Sequence, residues 1–396
     1  MDYIAAKSRV PAISLSALFL KFLRFGFLAF GGPVAQIAML RQAFVEEEQW
    51  IDRSRFNRLL AVLQVLPGPE AHELCVHFGM IARGRIGGLL AGLGFMLPGL
   101  VLMLLAGWIY VTWIAGHALW GGPLLGIQIA VLAIILRAVF RIGEHILMDR
   151  LTWAIALGSA LATVTDTPFW VPLVLGGAIY AFAGKPLLSA AVAAAGAGLI
   201  VYFHLAPSEQ VVLISAHEPS TVLALFIAGL KGGLLTFGGA YTAIPYVRAD
   251  TVGRGWLGDG TFLDGIALAG ILPAPLVIFA TFVGYVAGGL PGALAITAGM
   301  FLPAFAFSLI FYERLEAIVD HPALQRALEG MAAAVVGIIG ATLLQLGEAA
   351  WLRISAPISV VILFALALLA AWRLKGAWVT PAILATGAIF GAVVAL

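Results

Sequence analysis

The chain carries one cysteine in 396 residues, Cys75, which excludes an intrachain disulfide. A lone cysteine in an apolar stretch reads as a small buried hydrophobe. Charge is also scarce. Asp, Glu, Lys and Arg make up 11% of the residues, where soluble domains carry about 25%. Acids and bases nearly balance, at a net charge of +2, and no nucleic-acid motif is present. A glycine-rich loop for a nucleotide is missing too, so ATP hydrolysed within the chain is not expected to drive anything.

What the chain has instead is apolar surface. It is 62% hydrophobic, more than a soluble core can bury, so the bilayer must be the solvent. Apolar runs of the ~20 residues needed to cross it recur, for example over 88–110 and 122–139, and continue to Leu396. A polytopic membrane protein is expected, not a soluble domain with an anchor. The first apolar segment leads straight into the pattern described next, so a cleaved signal peptide is not expected.

The pattern is a duplication. Phe30-Gly31-Gly32-Pro33 recurs as Phe237-Gly238-Gly239-Ala240, 207 residues on. Leu66-Pro67-Gly68-Pro69 recurs as Leu272-Pro273-Ala274-Pro275, 206 residues on. Gly94-Phe95-Met96-Leu97-Pro98 recurs as Gly299-Met300-Phe301-Leu302-Pro303, 205 residues on. Matching Gly/Pro interruptions in two halves point to a transporter whose site lies where broken helices meet.

Each half reads as six apolar elements. In the first they are 18–44, broken at Gly31-Gly32-Pro33; 56–82, broken at Pro67-Gly68-Pro69; then 86–113, 123–140, 151–165 and 168–183. In the second they are 221–247, 262–287, 291–312, 324–346, 354–372 and 378–396, the first two again broken. The element 186–205 has no partner. The domains are therefore residues 1–184, a linking helix and loop over 185–219, and residues 220–396. One unpaired helix between equal repeats inverts the second in the membrane. If the broken elements are re-entrant and the N-terminus lies inside, Arg41, Arg53, Arg55, Arg58, Arg83 and Arg85 fall inside with most other basic residues. Arg248, Arg254 and Arg353 fall outside, which fits the positive-inside rule. The fold class expected is all-α and polytopic, as two inverted repeats. Non-helical backbone at membrane depth must face protein or a water-filled cavity.

Four groups of residues carry chemistry. Arg24 and Lys231 align at the offset of 207 and sit in apolar half-helices, where a charge costs roughly 2.5–3.5 kcal/mol. They read as substrate-binding cations, with snorkelling to the headgroups as the alternative. Arg41 and Arg248 form a second aligned pair, as secondary cations or interfacial arginines. The breaks are the third group. Pro33 suits the first position of a helix, which frees the amides of Val34 and Ala35. The matching amides in the second half are those of Ala240, Tyr241 and Thr242. Two helix N-termini meeting near Arg24 and Lys231 would bind a small anion. Gly31, Gly32, Gly238 and Gly239 allow close approach, and Pro67-Gly68-Pro69 with Pro273-Ala274-Pro275 complete the set. The bland alternative is small-residue helix contact. The fourth group is Glu70, His72, Glu73 and His77. Glu70, Glu73 and His77 share a helical face and have no polar counterparts in the second half. They read as a proton relay that couples transport, as metal ligands, or as a patch that neutralises Arg24 or nearby arginines. Glu46-Glu47-Glu48 with Arg53, Arg55 and Arg58 reads as a solvated loop, and Trp50 and Trp256 as interface anchors.

These motifs resemble those of the chromate ion transporter family. Phe30-Gly31-Gly32-Pro33 with Gln36-Ile37-Ala38-Met39, Leu66-Pro67-Gly68-Pro69-Glu70-Ala71, Phe237-Gly238-Gly239 and Pro273-Ala274-Pro275 carry the resemblance over both repeats. It implies antiparallel halves and export of chromate through the bacterial inner membrane, giving resistance. Sulfate has the same shape and charge, so sulfate or another tetrahedral oxyanion is the alternative substrate and a competitor. An intramembrane metal-dependent hydrolase on Glu70, His72, Glu73 and His77 is the remote rival, without a His-Glu-x-x-His arrangement to support it. A secondary transporter is expected, not an enzyme, with no cofactor and no metal. Its partners are the anion, the lipid bilayer and, as an open question, a second copy of the chain.

Overall fold

The computed structural model describes residues 12–63, 66–165, 167–205, 219–236, 239–311, 322–354, 356–376 and 378–394. Among them are fifteen α-helices and no strand. The first repeat holds α1 (Leu15–Phe27), α2 (Gly32–Arg41), α3 (Arg53–Leu63), α4 (Glu70–Ile109), α5 (Gly121–Ile146), α6 (Arg150–Val164) and α7 (Trp170–Ala181). After it comes α8 (Pro186–Leu205). The second holds α9 (Val222–Leu234), α10 (Ala243–Thr251), α11 (Asp259–Ile271), α12 (Phe279–Ala306), α13 (Pro322–Trp351), α14 (Pro357–Arg373) and α15 (Val379–Val394). Segments within 70–114, 118–146, 276–310 and 325–351 are long and apolar enough to cross a membrane.

The duplication reaches the caps and kinks. Ser14 accepts the Ala17 amide at 3.2 Å to start α1, and Thr221, 207 residues on, accepts that of Ala224 at 3.1 Å to start α9. Inside α4 the chain leaves helical geometry at Arg83 (φ −144°, ψ 29°) and Gly84 (φ 63°, ψ −158°). Inside α12 it does so at Gly288 (φ −147°, ψ 19°) and Gly289 (φ 62°, ψ −157°). The positive φ at Gly84 and Gly289 is the conformation glycine adopts without penalty. Each kink reverses the chain, so that Gly79 lies on the backbone of Gly87 and Gly284 on that of Gly292. The two long helices are therefore helical hairpins, as the sequence divides them at 82–86 and 287–291.

The broken elements fold back as well. Phe22 of α1 stacks on Phe44 beyond α2, with ring centroids 5.5 Å apart, and Lys21 pairs with Glu48. Lys231 of α9 reaches Asp250 of α10 at 3.2 Å. Phe56 of α3 lies 6.5 Å from Phe78 of α4, and Phe262 of α11 lies 5.6 Å from Phe279 of α12. The second arm of α4 packs antiparallel to that of α12 and the π-helical turn Phe307–Phe311 that follows it, with Gly88 against Leu309 and Gly92 against Phe305. Around them the repeats exchange scaffolds: α5 packs on α14 and α15, and α13 packs on α6 and α7. Glycine backbones make the close contacts there, Gly126 on Gly387 and Gly176 on Gly330.

Two sequence expectations change. Glu46 and Glu47 belong to a π-helix, Gln42–Glu47, that continues α2 and is pinned by Arg53 at 2.6 Å from Glu46, so the acidic run is no loop. Trp50 is fully buried against Phe44 at 4.6 Å, with Lys21 above its ring at 4.9 Å, so it is a core residue and not an interface anchor. Trp256 is half-buried under Arg254.

Candidate functional site

The four breaks meet. The Gly68 amide donates to the Thr236 carbonyl at 2.9 Å, which ties the second break of the first repeat to the first break of the second. Gln36 Nε2 donates to the Ala29 carbonyl at 2.8 Å and the Ala274 carbonyl at 2.9 Å, tying the other two. Ala29 and Thr236 are equivalent positions, as are Gly68 and Ala274. A Cβ on Gly68 would lie 3.0 Å from Ala304, and Gly99, the equivalent of Ala304, lies on Ala274. The same contact is thus made twice, once from each repeat. Each half satisfies backbone groups that the other's broken helices leave free, which is what membrane depth demands. Gln36 is 1% exposed. The sequence showed it in a motif but gave it no role, because its work depends on Ala274, 238 residues away.

Beside this crossing sits the acid–histidine group. Pro67, Gly68 and Pro69 are buried, and Pro69 leads into α4. Gly68 has φ +150°, a glycine conformation, and a Cβ there would lie 2.9 Å from Glu73 Oε1. Glu73 is fully buried and neither carboxylate oxygen has a hydrogen-bond partner among the described residues. Glu70 at 5%, His72 at 0% and His77 at 2% are equally sequestered. His72 lies edge-on to Phe301 and Phe305 of the second repeat, at 5.0 and 4.7 Å. The four do not converge: no group of three or more His, Cys, Asp or Glu among the described residues is placed to hold a metal ion. This removes the ligand geometry the hydrolase reading needs. Glu70 does not neutralise Arg24, which is exposed on α1 beside Leu20 and Phe27 and forms no ion pair among the described residues.

The two aligned cations are therefore unlike. Lys231 is tied to Asp250, whose equivalent in the first repeat is Ala43, and Asp250 also takes Arg254 at 3.4 Å. The secondary pair is held by acids. Arg41 lies 3.7 Å from Glu46, and Arg248 grips Asp259 through two bonds of 2.6 and 3.0 Å and reaches Gln345 at 2.8 Å.

The glycine breaks also differ. Gly31 (φ 86°) and Gly32 (φ 77°) are left-handed, and α2 starts at Gly32, so Pro33 takes the second helical position and not the first. Val34 is exposed and Ala35 half-buried. In the second repeat Gly239 (φ 131°) precedes one 3-10 turn, Ala240–Thr242. The Thr242 amide and hydroxyl are both used on the Gly239 carbonyl, at 3.1 and 2.7 Å. Ala240 is buried and Tyr241 half-buried, and Phe237 and Gly238 lie outside the described residues. Pro273, Ala274 and Pro275 are buried at the crossing.

One cluster had no signal in the sequence. Asp264 of α11 is 3% exposed and accepts from Tyr110 Oη and from Gln128 Nε2, both at 2.8 Å. Gln128 Nε2 also lies 3.2 Å from the Gly260 carbonyl, and Arg353 Nη1 donates to Gln128 Oε1 at 3.2 Å. The cluster forms the floor of an open cavity of about 770 Å³. Single polar residues in three apolar segments do not announce that they meet.

A duplicated, all-α chain with apolar helices and interrupted helices that cross at its centre has the build of a polytopic membrane transporter. Known proteins agree. The family model described as "Chromate transporter" matches twice, over residues 16–184 and 223–392. The chain belongs to the chromate transporter family. It is 55% identical over 374 residues to the chromate transport protein of Pseudomonas aeruginosa, covering 92% of this chain and 89% of that one. It is 30% identical to the chromate transport protein of Cupriavidus metallidurans (97% and 94% covered) and 29% identical to a probable chromate transport protein of Synechococcus elongatus (97% and 96%). No solved structure matches. The family is one of transporters rather than enzymes.

Proposed function

We propose that this protein exports chromate from the bacterial cytoplasm across the inner membrane and so confers resistance. The observation that carries this is the crossing of four broken segments, two from each repeat, with Arg24 and Lys231 one half-helix away. Among the described residues Arg24 is the cation of the pair with no acid bound to it, and it is the first contact for an oxyanion. The amides after Gly31 and Gly32, at Val34 and Ala35, lie beyond it. The repeats insert with opposite orientation, which the antiparallel contact of the second arms of α4 and α12 supports. Sulfate competes, because amides and cations read charge and tetrahedral shape, and specificity needs a difference in binding.

Export of a dianion from a negative-inside cell can run on membrane potential. One charge moved through 100 mV is worth about 2.3 kcal/mol, and a dianion gains about twice that. Coupling to protons falls to Glu70, His72, Glu73 and His77, with Glu73 nearest the crossing. A charged Glu73 repels a dianion there, so its protonation and anion occupancy are linked.

The test is uptake into inverted vesicles, comparing chromate, sulfate and molybdate under imposed potential and imposed pH gradients. Chromate uptake driven by potential is expected. Uptake of molybdate or sulfate with chromate excluded would overturn the substrate. Glu73→Gln and Glu70→Gln should flatten the pH profile of initial rates between about pH 6 and 8 while leaving anion binding intact. An unchanged profile in both would remove the acids from coupling.

A further inference from the structure

The Asp264 cluster joins the two repeats at one end of the molecule. Tyr110 and Gln128 come from the first repeat, Asp264 and Arg353 from the second. Tyr110 opens the π-helical turn that continues the second arm of α4, eleven residues beyond Gly99, and Asp264 lies on α11, ten residues before Ala274. Gly99 and Ala274 touch at the crossing. At ~1.5 Å per residue, both elements therefore run roughly 15 Å from the crossing to the same carboxylate. The open cavity begins beyond it, lined by Tyr110, His117, Gln128, Asp264 and Arg353 among others. The cluster thus stands between outside space and the place where the breaks meet.

The fit is specific. The Tyr110 ring is set edge-on against Phe282, 4.9 Å away, which aims its hydroxyl at Asp264. Both carboxylate oxygens are used, and the acceptor oxygen of Gln128 is held by Arg353. Gly260 has no Cβ, and one built there would collide with the Arg353 guanidinium. The equivalent of Asp264 in the first repeat is Arg58, which is exposed and bonded to Ser54 of its own helix at 2.9 Å. The carboxylate closure is a property of one end.

We propose that Asp264, Tyr110 and Gln128 form a gate that closes the cavity end of this transporter, and that the path to the crossing opens from that end only when these bonds break. The gate is independent of which anion is carried.

The test uses labelling. In a Cys75→Ala background, one probe is Ala267→Cys, one turn below Asp264 and 2% exposed in the native chain. A control probe is Ala349→Cys, on the cavity wall. Both are treated with a membrane-impermeant maleimide in spheroplasts and in inverted vesicles. The side that labels position 349 is the cavity side. Tyr110→Phe and Asp264→Asn should each raise labelling at 267 from that side on the order of tenfold, with no change at 349. If Asp264→Asn does not reach the membrane, Tyr110→Phe decides, since it keeps the ring on Phe282. Protection at 267 unchanged in Tyr110→Phe overturns the gate. A parallel rise at both probes is general loosening and overturns it too. No anion enters the measurement, so a chain that fails to carry chromate can still have the gate.

Discussion

The hairpin of α3 with the first arm of α4 and that of α11 with the first arm of α12 share one backbone plan and have different surroundings. The first lies in a core of its own, built from Leu18, Phe22, Phe44, Phe56 and Phe78 with other residues before 96. The second shares a core with α5, α13 and α15. Arg53, Ser54, Arg55, Asn57 and Arg58 of α3 are exposed, whereas Phe262 to Ala267 of α11 are buried. Side chains explain this. Guanidinium groups need water or an acid, and burying one costs several kcal/mol. Arg53 finds Glu46, whose carboxyl it holds below the usual range, but Arg53 is exposed and Glu46 only half-buried, so the pair adds little stability. Duplication has kept the breaks and kinks while substitution has anchored one hairpin and left the other bounded by polar surface.

The sharpest way to break the comparison is at Gly68 and Ala274. Gly68→Ala forces a Cβ onto a φ of +150° against Glu73 and Ala304. Strain of about 1–3 kcal/mol plus the collision should cut transport at least about tenfold and lower membrane abundance. Ala274→Gly should be mild. Equal effects at the two positions, read from vesicle uptake and immunoblots, would make the repeats interchangeable.

The cations come next. Arg24→Ala should abolish chromate uptake with abundance unchanged, since Arg24 pairs with no acid among the described residues. Arg24→Lys should retain part, because an ammonium lacks the paired hydrogen bonds of a guanidinium. Lys231→Ala should lower abundance as well, because Asp250 is left with Arg254. Normal uptake in both alanine variants would make them headgroup anchors.

The smallest effect is at the scaffold. Asp149 caps α6 through the Thr152 amide at 2.7 Å, while α14 of the second repeat starts with Pro357 and has no side-chain cap among the described residues. The Thr152 amide, together with the Thr152 and Tyr180 hydroxyls, holds the Asp149 carboxyl below its ordinary range. Its contribution is therefore present at neutral pH and lost as pH falls through that lowered value. Asp149→Ala should cost about 1 kcal/mol, seen as a lower aggregation midpoint in detergent at pH 7 and a smaller difference in acid.

Much of the fold was legible. Glycine and proline in apolar runs marked the breaks at 31–33, 67–69 and 273–275, and the division between 82 and 86 falls on the Arg83–Gly84 kink. Trp50 misled because a Trp beside charges resembles an interface anchor until Phe44 and Lys21 enclose it. That Glu70 does not pair with Arg24 was unreadable, since it turns on which face of α1 meets the second arm of α4.

By itself the sequence determined the solvent, the duplication and the interruption of the helices, because composition, repeat and backbone preference are local properties. Only the tertiary structure decided that Gln36 bridges Ala29 to Ala274, that Glu73 lies against Gly68, and that Asp264 collects Tyr110 and Gln128. The bonds from Gln36 to Ala274 and from Tyr110 and Gln128 to Asp264 join residues 136 to 238 positions apart, and they exist only once the halves meet. No periodicity along the chain encodes such a meeting, since any polar residue in an apolar helix must find a partner and the helix alone does not say which.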